Sequence, residues 1–397
     1  MKICQVGPDT LRMLELGHPW VIADRFTKKW PQGQSGELIA LVDDKQRQLA
    51  TALYDPRDRI VARVLGVGEL RLDVAWFETK LRLAENLRQN ALLEETDAYR
   101  LINGEGDGLP GLTVDRYGSY LMLQLYSQAW DAHLPALTKA LQQVYEPQGI
   151  YRKLRPQETR QLEAKTRNKE YSKLIAGQAA PVPLMVRENG LDYLVDLREG
   201  LNTGLFPDQR RNRRELMARA TGKRVLNLFA FTGAFSVAAA AAGAKQVTSV
   251  DVSQKYLEVA RENFSLNRIN PKRHNFIVGD VFAEVKKLRE QRQTFDIILF
   301  DPPSFSTTKK SRFSTHGGTA KLVTETLPLL VAGGLLISSS NHQKVSMEEY
   351  LKELRRGALQ AGEDLRTIFT SGQPEDFPCS VSFPEGRYLK FVINVKL

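Results

Sequence analysis

Asp251, Asp280 and Asp301 each stand at or near the end of a short apolar run and ahead of a stretch with helical spacing. A carboxylate at such a junction accepts hydrogen bonds from the first amides of a helix, or from a ligand laid across the strand ends. Asp251 lies about twenty residues beyond the loop Asn227-Leu228-Phe229-Ala230-Phe231-Thr232-Gly233, the spacing at which a carboxylate takes both ribose hydroxyls of a nucleoside. That loop holds one glycine, so it is not the GxGxxG fingerprint, but its turn can bring backbone N–H groups close to a ligand. Gly279-Asp280 is placed to accept from an adenine amine. Asp301-Pro302-Pro303-Ser304-Phe305 follows the fourth apolar run and Ser338-Ser339-Ser340-Asn341-His342 the fifth. Asp251 and Asp280 also read as helix caps, and Pro302-Pro303 as a rigid stop. Five polar strand ends in order favour a nucleoside, whereas the absence of a P-loop disfavours a phosphate site.

The elements that must position these groups are legible as an alternation. Strands are expected at Val225–Phe229, Gln246–Val250, Asn275–Val278, Phe295–Phe300 and Leu335–Ser338. Helices are expected at Gly233–Ala242, Gln254–Leu266, Val281–Arg292, Thr319–Leu330 and Met347–Ala361, with a last strand within Arg387–Val395. Such alternation makes a mostly parallel sheet covered on both faces. Upstream, Gly36–Asp44, Gln48–Tyr54 and Ile60–Leu65 read as strands of a β-rich module. Trp76–Leu93 and Leu134–Val144 read as helices, and Leu112–Asp115 with Tyr120–Tyr126 as a hairpin around residues 116–119. Gly104 to Gly111 reads as a turn, because Glu105 and Asp107 would repel a phosphate. Residues 152–173 are polar and read as an exposed helix or loop.

On these motifs the C-terminal half resembles the class I S-adenosylmethionine-dependent methyltransferases. The whole chain resembles bacterial large-subunit rRNA methyltransferases that join a PUA domain, a small α/β middle domain and a catalytic domain. The resemblance rests on Gly17-His18-Pro19-Trp20, on Asn103 to Gly118, on Thr203 to Arg210 and on Asn227 to Gly233. It implies a Rossmann-like seven-stranded sheet, with divisions at 1–72, 73–180 and 181–397. It places Asn227, Phe229, Phe231 and Gly233 near the cofactor's methionine end, Asp251 on the ribose and Asp280 on the adenine amine. Asp301, Pro302 and Phe305 then face the methyl donor and the base, Phe305 as a stacking face, Asp301 or the Pro302 carbonyl as acceptor. A homodimer is implied by the resemblance alone.

One departure concerns the nucleophile. Cytosine C5 is methylated through a thiolate added at C6, and family members with that activity carry the cysteine after the fifth strand. Here that stretch is Ser338-Ser339-Ser340-Asn341, and the only other cysteines are Cys4 and Cys379. A nitrogen target needs no covalent step and is slightly favoured. Cytosine C5 with a displaced nucleophile, a small-molecule methyltransferase, and an inactive RNA-binding or assembly factor are the alternatives.

The 397 residues carry 56 Lys and Arg against 46 Asp and Glu, a surplus of +10 that suits a polyanionic partner. Arg210, Arg211, Arg213 and Arg214, with Lys309, Lys310 and Arg312, are expected to grip RNA phosphates at the rim of the site. Two cysteines make no disulfide framework, and five scattered histidines suggest no metal site. With no apolar leader or membrane-length run, a cytoplasmic protein is expected.

Overall fold

The computed structural model describes all residues except Asn90, Leu92, 155–169, Ser304 and 308–311. The first unit comprises β1 (Lys2–Gln5), α1 (Pro8–Glu15), β2 (Trp20–Ile22), β3 (Leu38–Val42), β4 (Gln48–Tyr54) and β5 (Ile60–Gly66). Its five strands run in the order β1-β3-β4-β5-β2, with β1 parallel to β3 and the other pairs antiparallel. One side closes over Val21, Ile39, Leu41 and Ala52. Leu53 and Leu65 instead join the core of the next unit, which is why β4 is buried on both faces.

The second unit begins with α2 (Val74–Arg88), where the Asp73 side chain accepts from the Trp76 amide. This helix stops short of Leu93, and the Arg88 guanidinium is drawn into a bidentate pair with Asp107 at 2.6 and 2.7 Å. Then come β6 (Ala98–Asn103), β7 (Leu112–Tyr117), β8 (Tyr120–Leu125), α3 (Leu134–Tyr145), β9 (Gly149–Lys153) and β10 (Ser172–Gly177), in the sheet order β10-β9-β8-β7-β6. The β7–β8 hairpin turns on Gly118-Ser119 alone, since Tyr117 pairs with Tyr120. Most of the polar stretch 152–173 lies outside the described residues.

A hairpin of β11 (Leu184–Glu188) and β12 (Leu191–Val195) and the helix α4 (Arg210–Ala220) lead into the large sheet. There follow β13 (Arg224–Leu228), α5 (Ala234–Ala241), β14 (Gln246–Asp251), α6 (Gln254–Leu266), β15 (Asn275–Val278), α7 (Val281–Glu290) and β16 (Phe295–Phe300). A short hairpin, β17 (Phe305–Thr307) with β18 (Arg312–Ser314), precedes α8 (Thr315–Thr326), β19 (Leu330–Ser340), α9 (Met347–Ala361), β20 (Leu365–Ser371) and β21 (Lys390–Lys396). The seven-stranded order is β15-β14-β13-β16-β19-β21-β20, parallel throughout except for the β21 pairings. Two apolar clusters, one around Val225, Leu299 and Phe391 and one around Leu226, Phe300 and Tyr350, cover its two faces. The helix expected at 319–330 ends at Thr326, because Pro328 offers no amide to continue it. The strand expected at 335–338 starts at Leu330, and its register against β16 shifts beside Gly333 and Gly334.

Units two and three share a seam of buried charge. Asp376 receives the Arg100 amide at 2.9 Å and pairs with the Arg210 guanidinium, while its own carbonyl accepts from Arg88 at 3.0 Å. Asn103 donates to the Pro378 carbonyl at 2.9 Å. At Gly106 a Cβ would sit 1.8 Å from that same oxygen, so no side chain fits there. Glu105 and Asp107 thus serve as internal acceptors, as the reading of Gly104 to Gly111 as a turn requires.

Candidate active site

The parallel strands bring Asn227 to Gly233, Asp251, Asp280 and Asp301 to one edge of the sheet. The loop after β13 is wound tightly: Phe229 and Phe231 hold φ of 60° and 51°, and Gly233 holds 77°. Bulky residues rarely adopt this left-handed region, and such strain collects at ligand sites. A Cβ on Gly233 would lie 2.7 Å from the Ala260 Cβ, so only glycine lets α5 start this close to α6. Asp251 holds the loop, its Oδ2 accepting from the Phe231 amide at 2.8 Å and its Oδ1 from Ser253 at 2.9 Å. Burial pushes its carboxyl above the ordinary range, and these amides pull it partly back. Around it stand exposed apolar groups, Val252, Val278 and Tyr256. The Tyr256 ring meets Phe231 edge-on at 4.5 Å, and Phe206 lies 5.4 Å from Phe231 on the other side. A flat, partly apolar ligand with a vicinal diol suits this surface.

Asp280 caps α7, accepting from the Phe282 and Ala283 amides at 3.1 and 3.2 Å. Asn227 is buried and its amide donates to Ser236 Oγ at 2.9 Å, so that donor buttresses the first turn of α5.

Asp301, at the end of β16, is pushed up to about 6 by burial and then by the charge of Asp208. Gln209 steadies it, its Nε2 donating to Asp301 Oδ2 at 3.0 Å and to Ser339 Oγ at 2.8 Å. The Gln209 amide is oriented in turn: Asn212 donates to its oxygen at 2.6 Å, and Ser371 donates to Asn212 at 2.6 Å. Pro302 is buried beside Asp301. The side chain of Phe305 lies outside the described residues, as do Lys309, Lys310 and the side chain of Arg312.

The arginine run needs a correction. Residues 210–214 open α4, and helical periodicity splits them between two faces. Arg210 and Arg213 are each 2% exposed. Arg210 pairs with Asp376, and Arg213 makes a bidentate pair with Glu188, both contacts at 2.6 Å. Arg213 also donates to the Phe206 carbonyl at 2.7 Å and lies 5.5 Å from the Phe235 ring centre, so it fixes the segment before α4. Only Arg211 and Arg214 face solvent, Arg211 beside Glu375 at 2.9 Å.

Beside the strand ends lies a cavity of about 930 Å³ walled by all three units, with Trp20, Glu105, Asp208, His342, Cys379 and Tyr388 among its lining. Trp20 donates to Glu105 at 2.8 Å and packs edge-on against Phe383 at 4.6 Å, so the first sheet, the middle sheet and the C-terminal segment meet there. Lys390, lowered to about 8 by burial, ties the far wall, donating to the His342 and Tyr388 carbonyls at 2.7 Å each. Asp208, Gln209, Tyr256 and Tyr388 carried no role in the sequence reading. The first two lay inside the recognised stretch 203–210, and the tyrosines had no local signal.

Residues 99–380 match the family of S-adenosylmethionine-dependent methyltransferases, and residues 5–66 match a PUA-like domain. The chain belongs to the S-adenosylmethionine-dependent methyltransferase family. It is 36% identical over 379 residues to proteins of Yersinia pseudotuberculosis and Yersinia pestis named ribosomal RNA large subunit methyltransferase I, covering 94% of each chain. Among solved structures it resembles a candidate methyltransferase complexed with SAH, at 31% identity and a TM-score of 0.89 over the full length of both chains. It also resembles a candidate SAM-dependent methyltransferase from Streptococcus mutans, at 30% identity and a TM-score of 0.86, again over both full lengths. The fold is that of a class I methyltransferase behind a PUA-like sheet, and the chain is an S-adenosylmethionine-dependent enzyme. The strained loop, the Asp251 carboxylate and the exposed apolar groups beside it fit that cofactor. No described helix is long and apolar enough to cross a membrane.

Proposed function

We propose that this enzyme methylates a base of large-subunit rRNA. The observation that carries the reading is the cavity that runs from the PUA-like sheet to the ends of the catalytic strands. The relatives' printed names agree with it. Bound S-adenosylmethionine supplies an electrophilic methyl group. Asp251 would hold the ribose hydroxyls, Tyr256, in contact with Phe231, would offer an apolar face to the nucleoside, and the loop 229–233 would cradle the methionine end. The base enters unstacked. Asp301, ionised above its value of about 6, accepts an N–H of that base and holds it against the methyl donor. Gln209 and Ser339 keep the carboxylate in one orientation.

A nitrogen target is favoured, because Ser338, Ser339 and Ser340 end β19 with hydroxyls and no thiol. Cys379 supports a second reading, cytosine C5, since it lines the same cavity as Asn341 and His342. Burial pushes its thiol up, away from the thiolate that such chemistry needs. A homodimer is carried with the proposal on family resemblance, and a cytoplasmic location on the sequence reading. The test is incubation with methyl-labelled S-adenosylmethionine and rRNA from a strain lacking the enzyme, followed by nucleoside identification. An N-methylated nucleoside supports the first reading, and 5-methylcytidine supports the second. Absence of label with cofactor binding intact overturns both.

A further inference from the structure

Resting on the reading above, we infer that Asp208 reads an N–H-bearing edge of the target base and sets which bases the enzyme accepts. Asp208 sits between Phe206 and Gln209 in the short turn that leads into α4, and its side chain lines the cavity. Its neighbour Gln209 holds Asp301, and the charge of Asp208 is felt at Asp301. Asp208 therefore presents a carboxylate to the chamber while Asp301, coupled to it, stands behind the wall at the end of β16. Tyr388 donates to Asp208 Oδ2 at 2.7 Å, and no other described residue hydrogen-bonds to this carboxylate. Burial and the neighbouring Asp208 charge keep the Tyr388 phenol protonated, so it remains a donor. Oδ1 keeps its lone pairs for whatever enters.

Other acidic groups in the wall are differently placed. Asp58 pairs with Arg63 at 2.8 Å. Glu105 accepts from Trp20 and from the Gly111 amide at 3.0 Å. Glu385 is exposed at the mouth. Arg100, the cation closest in kind to a competitor, is engaged by Asp115 at 2.5 Å and lies over the Phe377 ring at 4.4 Å. Asp208 is thus the half-buried acceptor with unused capacity. An ionised carboxylate only accepts, so it welcomes an amino group and repels a carbonyl oxygen. A half-buried acceptor left without a donor costs free energy, and that cost falls on any base lacking the N–H.

The test compares two rRNA fragments, one natural and one in which an N–H of the methylated base, away from the atom that takes the methyl group, is replaced by a carbonyl oxygen. Wild type is expected to prefer the natural fragment by about a hundredfold in kcat/KM, the size of the penalty for leaving one charged acceptor without its donor. Asp208→Ala and Asp208→Asn are expected to lose about as much on the natural fragment and to distinguish the two by less than about threefold. Both should bind SAH as wild type does. Tyr388→Phe, which leaves both carboxylates in place, is the second variant and should lose part of the preference. Undiminished discrimination in the Asp208 variants, or in Tyr388→Phe, overturns the inference while leaving base methylation standing. No transfer by wild type to the natural fragment overturns both.

Discussion

Replacing Asp301 with asparagine is expected to stabilise the protein at neutral and alkaline pH while removing methyl transfer. The carboxyl is raised from 3.8 to about 6, mainly by burial and next by Asp208. A raised carboxyl binds its proton more tightly in the folded chain than in the unfolded one. The stability it contributes is complete below 3.8 and is lost as pH rises through about 6. At about 1.4 kcal/mol per unit, the shift sets an upper limit of roughly 3 kcal/mol above pH 7. Solvent reaching a partly exposed carboxylate reduces this to about 1–2 kcal/mol. In a domain of this size, each kcal/mol moves Tm by about 2–4 °C. Asparagine keeps an oxygen for the Gln209 amide, so the bond that orients position 301 survives. The assay is thermal melting of both proteins from about pH 4.5 to 8.5, beside methyl transfer at each pH. Asp301→Asn should melt a few degrees above wild type at pH 8, and the gap should close toward acid. A gap that ignores pH, or a variant that melts lower at pH 8, refutes the reasoning.

Gly233→Ala should cost about 1–2 kcal/mol for the left-handed backbone alone. The 2.7 Å approach to Ala260 adds to that, and SAH affinity by calorimetry should fall at least about tenfold. Asp251→Ala removes a charged acceptor for two hydroxyls, so cofactor affinity should drop by tens to hundreds of fold, corresponding to about 1.5–3 kcal/mol. Arg213→Ala strands the buried Glu188 and should lower stability by about 3–5 kcal/mol in chemical denaturation. Arg214→Ala should instead leave the melting curve unchanged and reduce the salt dependence of rRNA binding by about one counterion.

The catalytic sheet was legible because its strands alternate with helices whose apolar faces repeat at helical spacing. Asn275–Val278, Phe295–Phe300, Gln254–Leu266 and Met347–Ala361 have their expected bounds. The edge strand β20 escaped notice because its pattern is mostly exposed and carries no alternation. The arginine run misled for a related reason. A string of charges shows number but not face, and the partners that bury Arg210 and Arg213 are Asp376 and Glu188, far away in sequence. Asp301 was visible from its place after a strand. Its coupling to Asp208 and Gln209 was not, because that contact spans 92 positions and depends on how α4 docks. Trp20 and Glu105 lay within recognised motifs, but only the fold shows that one donates to the other across a unit boundary.

The seam around Asp376 also sets a timetable for biosynthesis. Arg88 leaves the ribosome 288 residues before the carbonyl that it must reach at Asp376. At about 5–20 residues per second, the nascent middle unit waits roughly 15–60 s with that bond unmade. During that interval the carbonyl of Pro378 has not yet arrived opposite Gly106, and one wall of the cavity is missing. The chamber therefore comes into being only as the last few dozen residues are made, so a nascent or prematurely ended chain carries the PUA-like sheet but cannot enclose a base.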